Sequence, residues 1–286
     1  MGNQIIISAD STCDLTPELL EQYQIKTLPL YITFGEKSYL DGIEITPDEI
    51  YQKVAADGVM PKTAAISIGD FIEYFGNLLK EADQVIHFTL SSGLSCTYQN
   101  ACLAAEDFEG KVFIVDSENL STGEALTILH ASEMASTGKT AEEIVAEAES
   151  YRKRVDASFI VDKLDYLYKG GRCSALSALG ANLLSIKPCI EVKGGKMDVG
   201  KKYRGKFGAV LQKYIAERLA DGDFETDRIF VTHAGCDPTI VETAKKAVED
   251  TGIFREVLLT RAGCTISSHC GADTLGILFV RKNDVI

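Results

Sequence analysis

The chain of 286 residues contains no tryptophan, only 6 prolines and only 4 histidines. None of the histidines sits in an H-E-x-x-H array, so that class of zinc hydrolase is excluded. Of the 8 cysteines, none forms a C-x-x-C pair and their spacings fit no zinc pattern; they read as small buried hydrophobes. Basic residues are the minority, 29 against 42 acidic, giving a net charge of −13. Such a balance argues against nucleic acid and anionic membrane surfaces as main partners, while leaving room for a small pocket that takes an anion. No apolar run approaches the roughly 20 residues of a membrane span, so no stable membrane anchor is expected. The first residues lack the basic region of a signal peptide, and Ile6 stands where a myristoylation motif needs Ser or Thr. The expectation is a cytoplasmic protein. A G-x-G-x-x-G fingerprint is missing too, and Gly195–Lys202 fails as a phosphate loop because Lys202 replaces the required Ser or Thr. No cofactor or metal is called for.

What is present is an alternation of apolar runs and capped amphipathic segments. Gln4–Ser8 reads as a buried first strand and Thr27–Phe34 as a second, with Gly35–Ser38 turning it back. Thr16-Pro17 opens a helix, and Thr46…Glu49 and Thr140…Glu143 are capping boxes that open two more. Asp70–Lys80 is amphipathic, with Phe71, Ile72, Phe75, Leu78 and Leu79 on one face. Strands over Val85–Leu90 and Lys111–Asp116 and an apolar helix over Gly123–Ala135 complete an α/β pattern, which predicts a parallel sheet covered on both faces. After Val155 the pattern changes. Strands over Ser158–Asp162, Arg228–His233, Arg255–Thr260 and Leu275–Arg281 surround a small-residue helix at Ser177–Leu184, helices at Lys206–Leu219 and Pro238–Asp250, and a hairpin turning at Gly194-Gly195. The reading is two lobes: an N-terminal α/β domain with a parallel sheet over 1–156, and a C-terminal α+β domain over 157–286.

The stretch that carries the most chemistry is Ser91-Ser92-Gly93-Leu94-Ser95-Cys96-Thr97, between the Val85–Leu90 strand and a helix beginning near Tyr98. A hydroxyl-rich turn at a helix N-terminus offers free N–H groups and side-chain donors to an anion. The same residues are good helix caps, so Ser95 or Thr97 could serve as a cap alone. Gly93-Leu94-Ser95-Cys96-Thr97 also approaches the G-x-S-x-G elbow of serine hydrolases but lacks its second glycine.

Several stretches, in order along nearly the whole chain, together resemble the DegV family of bacterial fatty-acid-binding proteins. They are Asp10-Ser11-Thr12, Lys62-Thr63 with Ser67, Ser91–Ser95, Val115-Asp116-Ser117, Asp165-Tyr166-Leu167 with Lys169-Gly170-Gly171-Arg172, Lys187-Pro188, Arg204, and His269 with Gly271. The resemblance implies two α/β lobes closing on one long-chain fatty acid (palmitate or oleate, for example) bound between them, in a non-catalytic carrier. Like the FakB subunits, such a carrier presents its acid to a separate fatty acid kinase. It further implies that Thr63, Ser95 and His269 hold the carboxylate, with Ser92 close enough to contribute, and that Arg172 and Arg204 lie near the head group or on the kinase-facing surface. The chemistry is consistent: a carboxylate only accepts hydrogen bonds, and two hydroxyls, an imidazole and helix-terminal amides donate them. The chain departs from the family at Ala64-Ala65-Ile66, where Ser-Gln-Pro is usual, at Cys96 for Gly, and at Ala272-Asp273 for Pro-Gly. The competing expectation, from the near-elbow, is a serine hydrolase or acyl-transfer enzyme using Ser95 and His269.

Overall fold

The apolar runs sort into three sheets rather than the two that the sequence pattern suggests. The computed structural model describes residues 4–176 and 186–285. In chain order the first part supplies β1 (Ile5–Asp10), α1 (Pro17–Gln22), β2 (Lys26–Leu28), β3 (Tyr31–Phe34), β4 (Lys37–Leu40), α2 (Pro47–Asp57), β5 (Lys62–Ala64) and α3 (Ile68–Leu78). It continues with β6 (Gln84–Thr89), α4 (Thr97–Ala105), β7 (Val112–Asp116), α5 (Thr122–Ser136) and α6 (Ala141–Tyr151). The remainder supplies β8 (Val155–Val161), α7 (Asp165–Gly170), β9 (Lys187–Lys193), β10 (Lys196–Tyr203) and α8 (Phe207–Arg218). The last elements are β11 (Arg228–Ala234), α9 (Pro238–Glu249), β12 (Glu256–Arg261), α10 (Cys264–Cys270) and β13 (Thr274–Val280).

Strands β2-β1-β6-β7 form an all-parallel sheet, as the strand–helix alternation predicts. The second sheet, β10-β9-β8-β13-β11-β12, is mixed: β11 and β12 run parallel while the β8, β9, β10 and β13 pairings are antiparallel. The expected hairpin joins β9 to β10, with Gly194 and Gly195 both at positive φ (52° and 74°) as a tight primed turn requires. The third sheet, β4-β3-β5, is antiparallel.

Two local expectations differ from the structure, and a third is untested. The single strand expected over Thr27–Phe34 is two, β2 and β3, interrupted at Pro29-Leu30, and the two join different sheets. Proline has no N–H to give a ladder, so the run breaks there. Cys264–Cys270, to which sequence reading gave no element, is helix α10. The helix expected over Ser177–Leu184 lies outside the described residues. The capping boxes at Thr46/Glu49 and Thr140/Glu143 are both formed, and a third closes at Ser67/Asp70.

Helix α5 lies between the two large sheets and touches β1 and β6 on one side and β8 and β13 on the other. That position explains why it is apolar nearly all round, with Ala125, Leu126, Ile128 and Leu129 fully buried. One continuous core accordingly runs from Ile7 and Phe88 through Leu126 to Phe159 and Phe230. The small third sheet has its own cluster, Ile32, Ile45 and Ile50, completed by Cys264 of α10. An element from the first part of the chain is thus packed on a helix from the last part, and the cavity described next lies at that junction.

Candidate functional site

The serine turn links β6 to α4. Ser95 Oγ accepts from the Thr97 N–H at 3.2 Å and lies 2.9 Å from Thr97 Oγ1. The N-cap of α4 is Cys96, with no side-chain cap hydrogen bond, so neither Ser95 nor Thr97 is the cap that the sequence offered; Ser95 precedes the cap, bonds the first helical amide and lines a cavity. Ser91 is buried and donates to the Gly195 carbonyl at 2.6 Å, tying the turn to the β9–β10 hairpin. The approach is so close that a Cβ on Gly93 would lie 2.6 Å from the Gly195 oxygen. Ser92 donates its N–H to Asp116 Oδ1 at 3.1 Å, and its hydroxyl has no hydrogen-bond partner among the described residues.

Thr63 sits at the centre of β5, opposite Ile32 of β3. Its Oγ1 is 2.8 Å from Nε2 of His269, in the last turn of α10. This bond joins residues 206 positions apart in the chain. His269 Nδ1 is buried with no hydrogen-bond partner among the described residues, because the ring lies against Gly170. Burial, reinforced by the positive charge of Arg172, pushes the imidazole down to about 4, so it is neutral at pH 7. A neutral ring carries one proton. If Nε2–H donates to Thr63, the threonine hydroxyl proton is free to point elsewhere; if Nε2 accepts from Thr63, Nδ1–H is left buried and unpaired. The first arrangement leaves only an acceptor unmatched, and it makes Thr63 a donor toward the cavity.

That cavity has a volume of about 420 Å³, inside the roughly 300–1,000 Å³ range of small-molecule pockets. Thr63, Ser92, Ser95, Arg172 and His269 all line it, so five of the six residues expected from sequence converge on one space. Arg204 is exposed and does not line it. The remaining walls are largely apolar, with Leu30, Leu90, Leu94, Leu120, Met197 and Ile266 contributed by both parts of the chain. Arg172 is exposed at the rim, where its guanidinium donates to the Gly170 carbonyl at 2.9 Å. The arrangement can bind a small group with several acceptor oxygens beside an apolar body. A larger cleft of about 1,190 Å³ lies elsewhere, between the start of β1 and the end of α5; polar and charged side chains such as Gln24, Glu133 and Lys139 line it.

Part of the departure from the family pattern falls on this site, while Ile66, Ala272 and Asp273 do not line it. Ala64, Ala65 and Cys96 all line the cavity, putting methyl groups and a thiol on its wall. Asp273, where the family has glycine, adopts φ +59°, a left-handed conformation that aspartate tolerates better than most side chains. Sequence reading missed the contributions of Leu120, Met197 and α10. Only the glycines on either side of Cys264–Cys270 hinted at a bounded element there.

The elbow expected of a serine hydrolase is not formed. Ser95 makes no hydrogen bond to His269, whose Nε2 is engaged by Thr63, and Ser95 is not among the residues with positive φ. No group of His, Cys, Asp and Glu among the described residues could hold a metal ion. No helix among them is long and apolar enough to cross a membrane.

Comparison with known proteins gives consistent results. A family model described as "Uncharacterised protein, DegV family" matches residues 4–282. A DegV domain-containing protein of Clostridium perfringens is 32% identical, the match covering 98% of this chain and 99% of the relative. Among solved structures, a DegV family protein from Thermus thermophilus described by its fatty acid binding superposes with a TM-score of 0.89 at 32% identity, covering 97% of this chain and 99% of that one. A stearic acid-binding protein from Eubacterium ventriosum superposes with a TM-score of 0.81 at 27% identity, covering 96% and 98%.

Proposed function

The chain belongs to the DegV family, and from that premise we propose that it is a carrier that binds one long-chain fatty acid in the 420 Å³ cavity. The observation that carries the reading is the convergence of Thr63, Ser92, Ser95 and His269 on a cavity whose other walls are mostly apolar. In this reading Thr63 and Ser95 donate their hydroxyl protons to the carboxylate, Ser92 adds a third donor, and His269 holds Thr63 in its donating orientation. Each hydrogen bond to the charged group contributes about 1.5–3 kcal/mol net of the bonds to water that it replaces. Arg172 adds positive potential at the rim without burying a full counter-charge, which avoids the desolvation cost of a buried ion pair. The tail lies against Leu30, Leu90, Leu94, Leu120, Met197 and Ile266. At about 0.8 kcal/mol per buried methylene, a tail of roughly fourteen methylenes grosses on the order of 11 kcal/mol before ordering costs. Affinity thus comes from the tail and orientation from the head group. Similar proteins described as binding fatty acids support this reading.

The finer proposal is that the bound acid is presented to a fatty acid kinase, with Arg172 and the exposed Arg204 on the surface that meets it. The cavity chemistry needs no catalytic residue of its own for that role.

Native mass spectrometry of the purified protein, followed by denaturation and lipid analysis, tests the carrier reading. The expected result is a mass excess of one fatty acid that is lost on denaturation and reduced in Thr63→Val and Ser95→Ala. A clean mass that stays unchanged with added palmitate or oleate refutes it. The kinase proposal is tested separately, by formation of acyl phosphate when the loaded protein meets a fatty acid kinase and ATP.

A further inference from the structure

Among the described helices, α10 carries the most of the cavity wall: Thr265, Ile266, His269 and Cys270 all line it. Yet it is only 7 residues long, too short to be stable by itself, and its N-cap, Gly263, has no side chain to offer. Its leading amides are taken instead by two carboxylates from the other end of the chain. Asp41 Oδ1 accepts from the Cys264 N–H at 2.8 Å, and Asp41 Oδ2 from the Thr265 N–H at 3.0 Å. Asp14 Oδ1 accepts from the Gly263 N–H at 2.8 Å. Both carboxylates are buried, and each is steadied by a hydroxyl: Ser11 donates to Asp41 Oδ2 at 3.0 Å, and Ser121 to Asp14 Oδ2 at 2.5 Å.

The backbone around this clamp is strained. Asp14 has φ 51°, and Ser121 has φ 54° with ψ −143°, a conformation that favours glycine. Such residues persist only where their surroundings over-determine them, and they concentrate at functional sites. Ser121 directly follows Leu120, which lines the cavity. The clamp therefore touches the site at two points, through Leu120 and through α10.

We propose that Asp14 and Asp41 are positioning residues for ligand recognition: by gripping three successive amides they fix the height and rotation of α10, and so hold His269 against Thr63 at the polar end of the cavity. Three amides held from two directions leave a short helix neither free to slide nor free to turn. A helix anchored at one end and bonded through His269 to β5 at the other has the geometry of a strut between the two parts of the chain. The proposal rests on the reading of this cavity as a fatty-acid site.

The test compares palmitate with hexadecan-1-ol, which share a tail and differ in the head group. Asp41→Ala weakens palmitate binding about tenfold or more and leaves hexadecanol within about twofold, because the tail pocket survives while the donors lose alignment. Asp41→Asn, which keeps one acceptor for the Cys264 amide, falls between, and it carries the test if Asp41→Ala does not fold. Amide exchange at Cys264 and Thr265 quickens in both variants. Equal weakening of both ligands means a merely structural role and overturns the proposal, as does unchanged palmitate affinity. If the unaltered protein binds no fatty acid, the ligand reading fails separately. The positioning role is then read from the His269 ring ¹⁵N resonances, which shift in Asp41→Asn if the clamp sets the ring and stay fixed if it does not.

Discussion

Replacing Gly170 by alanine separates recognition from stability at a single atom. Gly170 ends α7 and is not among the glycines with positive φ, so its backbone accepts alanine. Helix propensity favours the change by up to about 1 kcal/mol. The obstacle is His269. A Cβ at position 170 would lie 2.5 Å from Nδ1, 3.4 Å from Cγ and 3.5 Å from Cε1 of the ring. An imidazole is rigid, so the whole ring must retreat by about 1 Å to reach ordinary contact. Its bond to Thr63 is 2.8 Å now, and a separation beyond about 3.5 Å is no longer a hydrogen bond. The displaced ring no longer meets Thr63 in its present geometry, whether the contact is stretched or compressed, and Thr63 no longer holds its proton toward the ligand. The loss of one bond to a charged acceptor, about 1.5–3 kcal/mol, corresponds to roughly 10- to 150-fold weaker binding. The assay is displacement of a fluorescent fatty acid by palmitate, run beside urea unfolding. The expected pair of results is a binding loss in that range with unfolding free energy changed by no more than about 1 kcal/mol. Wild-type affinity in Gly170→Ala would refute the argument, since it would mean that the His269–Thr63 contact does not govern the head group.

Other predictions address the cavity wall, the thiols and the buried histidine. Gly93→Ala sets a Cβ 2.6 Å from a backbone oxygen of the hairpin turn, so it should lower stability by about 1–3 kcal/mol and speed ligand release by loosening the wall that carries Met197; urea unfolding and dissociation kinetics measure both. Cys96 is the one cysteine that is exposed, and it lines the cavity. A thiol reagent should modify it first, and bound fatty acid should slow the reaction; peptide mapping that finds no protection would remove the ligand from that part of the cavity. His87 is fully buried beside Phe71, Tyr74 and Phe75, and burial pushes it from its ordinary 6.5 to about 3. The unfolded chain therefore binds the proton more readily than the folded one. Stability from the neutral ring is complete above about pH 6.5 and falls as pH drops toward 3, by up to about 1.4 kcal/mol per unit. Asp10 acts in the opposite sense, because burial raises it to about 6 and its carboxyl favours the folded state at the acid end. Comparing the protein with His87→Phe isolates the histidine: the stability difference should change between pH 6.5 and 4.5, and a constant difference would contradict the burial argument.

Much of the fold is encoded within a few residues of where it appears. The caps at Thr46/Glu49 and Thr140/Glu143, the primed turn at Gly194-Gly195 and most of the apolar strands are short-range patterns, and the structure contains them, with the run over Thr27–Phe34 split in two. The donor residues Thr63, Ser92, Ser95 and His269 could likewise be named from ordered motifs, because each motif is contiguous. What no local pattern carried was their meeting. The Thr63–His269 bond spans 206 residues, and the α10 amides are held by Asp41 across 223 and 224 residues. Helix α10 itself was invisible because its cap is not adjacent in sequence; a window read along Cys264–Cys270 contains neither the acceptor that starts the helix nor the sheet that buries it. The same holds for β2 and β3, where proline marks the break but only sheet pairing decides that the two halves part company. The sequence by itself determined most of the strand segments, where most helices begin, and which side chains could donate to an anion, since those depend on periodicity and on contacts within one turn. Tertiary structure alone decided which donors share a cavity, which walls are apolar and which carboxylates are buried, because burial and hydrogen-bond partners depend on residues that approach only when the sheets pack across α5.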